Sequence, residues 1–189
     1  ISSGNKAVLH IFGAGTTPDI LTRHYLWQHK LDYTLNYSFT TAQEIMQGIL
    51  AGKIDHAVLG EPFLNIALRK DSTLNILADL NRPDSASSGF AQTAILYAPT
   101  LEKNRKTIDS LLTLSCRFAV EQPELAIQIL EKENIFVPGM LTPESIKRCK
   151  IDYKTASEAQ ENILRFLQLI KQYEPKALGG KMPDEKFYK

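Results

Sequence analysis

Short apolar runs alternate with helically spaced apolar residues along the first half of the chain. Ala7-Val8-Leu9-His10-Ile11-Phe12 has β-branched and aromatic members and is ended by Gly13-Ala14-Gly15, so it reads as a strand. Pro18 stands where the first turn of a helix tolerates it, and residues 18–29 carry Ile20, Leu21, Tyr25 and Trp27 at apolar positions. Tyr33-Thr34-Leu35-Asn36-Tyr37-Ser38-Phe39 alternates apolar with polar, the period of a strand. Between Thr41 and Ala51, Ile45, Met46, Ile49 and Leu50 share a helical face, with Gly52 behind them as a cap. Ile54 to Leu59 predicts the next strand, and Glu61-Pro62 opens a helix to about Lys70. This alternation predicts a parallel sheet with helical crossovers.

Two further strands are expected over Leu74–Ala78 and Thr93–Ala98, separated by the turn-rich loop Asn81–Gly89. Beyond Thr100 the spacing turns helical, over 101–119, 123–133, 143–149 and 155–173, with Pro123 and Pro143 at helix starts. In the last of these, Ile163, Leu164, Phe166, Leu167 and Ile170 form a broad apolar stripe. The chain is therefore expected to divide near residue 99, with α/β over 1–99 and almost only helix over 100–189.

Composition changes this picture little. Lys and Arg number 22 against 21 Asp and Glu, a formal net charge of +1, which argues against nucleic acid as the main partner because phosphate contacts need a basic surplus. No apolar run approaches the ~20 residues that span a bilayer. Cys116 and Cys149 form neither a CxxC pair nor a zinc set, and Cys116 reads as a small buried thiol. The chain starts Ile1-Ser2-Ser3-Gly4-Asn5, without Met and without a signal peptide's charged head and apolar run, so its true beginning is expected elsewhere.

In open parallel sheets, ligands bind beyond the carboxyl ends of the strands. Two such ends carry candidate residues. In Gly13-Ala14-Gly15-Thr16-Thr17-Pro18-Asp19, glycine lets backbone approach a ligand, Thr16 or Thr17 can cap the helix, and the helix start offers N–H groups to an anion. Ordinary turn and cap chemistry explains the same residues equally well. At Gly60-Glu61-Pro62-Phe63, the Glu61 carboxylate can face a ligand's amine or hydroxyls, or simply compensate the helix dipole. His10, His24, His29 and His56 show no metal spacing, and no G-x-S-x-G elbow is present. No catalytic residue, metal site or cofactor is predicted.

Three of these stretches are similar to the solute-binding proteins of ABC importers in the nitrate, sulfonate, taurine and thiamine-pyrimidine-precursor group. They are residues 11–19, the segment Gly48-Ile49-Leu50-Ala51-Gly52-Lys53-Ile54-Asp55-His56-Ala57-Val58-Leu59-Gly60-Glu61-Pro62, and the tail from Leu178 to Tyr188. The resemblance implies an α/β, type II periplasmic-binding-protein-like fold. It would have a parallel-sheet lobe with an antiparallel hinge strand at 93–98, then a mostly helical part belonging to the other lobe and the C-terminal cover. It implies a small-molecule ligand held at Gly13, Gly15, Thr16, Thr17 and Pro18, and at the Glu61–Pro62 corner. It also implies a membrane permease as partner and a periplasmic or cell-envelope location, tethered as a lipoprotein.

Such proteins normally begin with a half-lobe forming the other cleft wall, which has no counterpart here, and Gly4-Asn5-Lys6 runs straight into Ala7. A piece of a longer chain is therefore expected, with signal and anchor outside it. Two other readings share the fold. A ligand-sensing domain of a LysR-like regulator would need a helix-turn-helix, which this stretch lacks. A thiamine-pyrimidine synthase would need a Cys-rich iron motif, which two cysteines cannot supply.

Overall fold

A computed structural model describes residues 6–82 and 89–188. The expectations about Gly4 and Asn5, and the middle of the Asn81–Gly89 loop at 83–88, lie outside the described residues. Strands β1 (Ala7–His10) and β2 (Tyr33–Asn36) pair in parallel, Ala7 opposite Tyr33 through His10 opposite Asn36. Helix α1 (Thr17–Gln28) makes the crossover that parallel neighbours require. On the other edge of β1, the His10 N–H donates to the His56 carbonyl at 3.0 Å and the Val58 N–H to the His10 carbonyl at 2.9 Å.

The sheet stops there, and three expected strands are corrected. The run 54–59 contributes a single parallel bridge, at Ala57, because only residues 56–58 reach the short free edge of β1. Residues 74–78 and 93–98, the expected antiparallel hinge strand included, carry no regular structure. A strand persists only where a neighbour takes its backbone groups, and none lies beside these segments among the described residues. Ile76, Leu77, Ile95 and Leu96 stand in solvent, Leu96 at 87% exposure.

The helices follow the expected spacing closely. Helix α2 (Ala42–Leu50) begins with a capping box: Thr41 Oγ1 accepts from the Glu44 N–H, and Glu44 reaches back to the N–H groups of Thr40 and Thr41. Those donors hold the exposed Glu44 carboxyl below its ordinary value. Helix α3 (Phe63–Lys70) starts just after Pro62, whose peptide bond with Glu61 is cis. A 3-10 turn (Pro99–Asn104) leads into α4 (Arg105–Glu121), and α5 (Pro123–Lys132) and α6 (Pro143–Cys149) have proline in their first turns as predicted. Helix α7 (Gln160–Tyr173) is shorter than expected, because Thr155 and Glu158 tie the preceding residues into their own hydrogen-bonded turn.

Two apolar clusters hold these elements. Ile20 and Leu21 of α1 pack with Phe166 and Leu169 of α7 and with Phe90. Ile127 of α5, Leu141 and Ile146 of α6 form the second, with Leu130, Phe136 and Ile151 against them. The first cluster joins residues on both sides of position 99, so the C-terminal helix sits on the α/β part. Trp27, placed with Ile20 and Leu21 among the apolar positions of this helix, is 68% exposed, since α1 turns Ile20 and Leu21 rather than Trp27 towards α7. Among the described residues no helix is long and apolar enough to cross a membrane.

Candidate functional site

The loop after β1 is built by its glycines. Gly13 and Gly15 have φ of +70° and +78°, backbone that side chains disfavour. At Gly13 a Cβ would also stand 2.8 Å from Thr16 Cγ2. Thr16 closes the turn on itself: its N–H and its Oγ1 both donate to the Gly13 carbonyl, at 3.0 and 2.5 Å. Thr16 is the N-cap residue of α1, yet its side chain makes no cap bond to the helix, and Pro18 lies in the first turn as expected.

Asp19 does the work expected of a bound anion. It is 1% exposed and follows Pro18 on the first turn of α1. Its Oδ2 accepts from the Gly15 N–H at 2.8 Å and from Arg23 Nη2 at 2.7 Å, and its Oδ1 accepts from the Tyr37 hydroxyl at 2.6 Å. The chain's own carboxylate thus occupies the Gly15 N–H, so that donor is not left for an external anion. A buried carboxylate of this kind is stable only because three donors surround it, one of them the Arg23 cation. Arg23 carries the network onward, donating from Nη1 to the Tyr173 carbonyl at 3.1 Å with its guanidinium 5.3 Å from the centre of the Tyr173 ring. Burial, and then the hydrogen bond to Asp19, push the Tyr37 hydroxyl up to about 12.

Above this network lies an open cleft of about 590 Å³, lined by Ala14 and Gly15, by Asp19 and Arg23, by Tyr37, and by Glu174, Lys176 and Ala177. Ala14 and Gly15 follow β1, and Tyr37 follows β2. The cleft therefore lies beyond the carboxyl ends of both parallel strands, where such sheets bind ligands. Its far wall comes from the residues after α7, and Glu174 Oε2 lies 3.3 Å from where a Cβ on Gly15 would be.

The second predicted corner is organised differently. Glu61 Oε1 accepts from Arg148 Nε at 2.6 Å, and Oε2 accepts from the Asn65 N–H in the first turn of α3 at 3.1 Å. Asn65, buried, donates to the Met140 carbonyl and accepts from Thr142 Oγ1. Both oxygens of Glu61 are thus committed to a polar seam between α3 and α6, and neither Glu61 nor Pro62 lines the cleft. Of the predicted ligand residues, Gly15 lines it, and Gly13, Thr16, Thr17 and Pro18 form the turn that carries Gly15.

No protein-family model matches the chain, and no curated protein does. A solved structure does: the crystal structure of an ABC transporter from Parabacteroides distasonis is similar over 100% of this chain and 68% of its own, at 56% identity and a TM-score of 0.93. The chain belongs to the ABC-transporter proteins. Its role is accordingly transport-related, in agreement with the coarser part of what the sequence implied.

In this ABC-transporter protein the four histidines are all packed against aromatic rings: His10 on Phe39, His24 on Trp27, Phe90 and Tyr173, His29 on Tyr25, and His56 on Tyr33. No group of three or more His, Cys, Asp or Glu suited to a metal occurs among the described residues. Both cysteines are free, and Cys116 is half-buried rather than buried because α4 has no side chain fully covered. Sequence reasoning passed over Asp19, Arg23, Tyr37, Glu174 and Lys176. The i, i+4 pairing of Asp19 with Arg23 was a visible signal. The return of residue 174 to residue 15 left no local trace.

Proposed function

We propose that this protein is the solute-binding component of an ABC importer, capturing a small polar solute by hinge closure of two lobes and passing it to a membrane permease. The solute belongs to the sulfonate, nitrate, taurine-like or pyrimidine-precursor class. The reading places the protein in the periplasm or cell envelope as a tethered lipoprotein, with residues 1–99 as one lobe and 100–189 serving the other lobe and the C-terminal cover.

The observation that carries it is the 56% identity, over the whole chain, with a structure described as an ABC transporter. Two features support it. The cleft lies at the carboxyl ends of β1 and β2, and the glycine-built loop brings backbone to its floor. The uncovered side chains of Leu77, Ile95 and Leu96 are suited to a second lobe packing across the expected hinge. Ligand-driven closure requires only that the solute contact the closed state better than the open one.

The test is thermal unfolding of the intact protein with taurine, ethanesulfonate, nitrate and 4-aminopyrimidine at millimolar concentration. Binding of one of them at about a hundred times its Kd stabilises the fold by about 2.7 kcal/mol and raises the melting temperature. No shift with any of the four removes these solute classes.

A further inference from the structure

The cleft's charges are unevenly matched, and that bears on which solutes it accepts. Asp19 and Arg23 neutralise each other, and every oxygen of Asp19 already has a donor. Glu174 is different. It ends α7, half-buried, with its carboxylate against Gly15, and no side chain among the described residues donates to it. Lys176, two residues on, is exposed and reaches no carboxylate among the described residues. Gly15 has no side chain, and this lets the Glu174 side chain lie against it, with the carboxylate lining the open cleft where a guest group can reach it.

A solute entering this corner strips water from Glu174. For an anion the cost is repulsion as well as desolvation, whereas an ammonium replaces the lost water with charge-assisted hydrogen bonds. The same solute's acidic end would meet Lys176 at the rim. We propose that Glu174 is a specificity-determining residue, which selects solutes carrying a protonated amine at the Gly15 corner of the cleft. The inference rests on the functional reading above, and deepens it by assigning one end of the solute to one side chain.

Calorimetric titration of the intact protein with two pairs of probes tests it. Taurine against isethionate, and β-alanine against 3-hydroxypropanoate, each differ only by ammonium against hydroxyl. The amine member of a pair is expected to bind tighter by roughly tenfold or more. In Glu174→Gln the two members should come within about threefold of each other, with the hydroxyl member's affinity unchanged. Equal binding within both pairs by the parent protein overturns the proposal, as does a preference that survives in Glu174→Gln. If the variant does not fold, as seen by circular dichroism, the comparison of pairs in the parent protein decides alone. Binding of nitrate or ethanesulfonate but of no amine overturns this inference and leaves the functional reading standing. Binding of no small solute overturns both.

Discussion

Asp19 is the residue on which most of the site depends. One nearly buried carboxylate fixes the loop through Gly15, the helix through Arg23 and the end of β2 through Tyr37, and Arg23 extends the tie to α7. Asp19→Asn removes the charge but keeps the shape, leaving Arg23 without its counter-ion. Because Arg23 is partly exposed, the loss is expected at about 2 kcal/mol rather than the larger cost of a fully buried pair, read from urea midpoints. The same change should lower the Tyr37 pKa from about 12, measured by NMR titration of that ring. His24 gives a second residue-level prediction. Burial among Trp27, Phe90 and Tyr173 holds its imidazole below the usual 6.5, with Arg23 the nearest cation along the helix. The folded state therefore favours the neutral ring. Its contribution is whole above the unfolded value and is lost as pH falls through 6.5 towards the lower folded value, where the unfolded chain binds the proton first. Urea midpoints at about pH 7.5 and about pH 5.5 should drop less in His24→Phe than in the parent protein.

Between elements, two different chemistries hold the α/β part to the helices. Helix α1 meets α7 through an apolar cluster, whereas α3 meets α6 through Glu61–Arg148, Asn65 and Thr142. Thr142 serves twice there, capping α6 through the Ser145 N–H and donating to Asn65 Oδ1. Thr142→Ala should cost about 1–2 kcal/mol, because it removes the shorter of two hydrogen bonds to the buried Asn65 Oδ1 as well as a cap. Thr41→Ala, at the exposed cap of α2, should cost about 1 kcal/mol or less. Equal losses in denaturant would mean that the α3–α6 seam adds nothing to the cap. Local pattern foretold these helices well. Spacing at Ile45, Met46 and Ile49 and prolines at 123 and 143 act within one turn, and the physics of a helix is local in the same way. Strands failed the same test. Residues 74–78 and 93–98 have strand-like composition, but a strand is made by its neighbour, and composition carries no record of one. Candidate residues divide likewise. The Gly13–Pro18 turn was legible from its own residues, while the role of Glu61 depended on Arg148, far away in the sequence.

At the scale of the whole molecule, 56% identity with an ABC transporter and a cleft at the ends of two parallel strands lead to one expectation, that a small solute binds over the Gly13–Thr17 turn. The near-neutral net charge of +1 fits a site whose selectivity is set by a few side chains rather than by the field of the entire protein. Thr16 and Thr17 are the variants to use, because Thr16 makes an exposed bond within its own turn and its side chain does not cap α1. Neither lines the cleft, but both belong to the turn that carries Gly15 into it, so their loss should loosen that turn and touch binding more than folding. The decisive measurement is calorimetric titration of the solute that gives the largest thermal shift, into the parent protein and into Thr16→Ala/Thr17→Ala. We expect saturable binding to the parent, at least roughly tenfold weaker binding to the variant, and nearly equal melting of the two unliganded proteins. Unchanged affinity with a large fall in unliganded stability would contradict this, and would leave the two threonines as turn residues with no part in holding a solute.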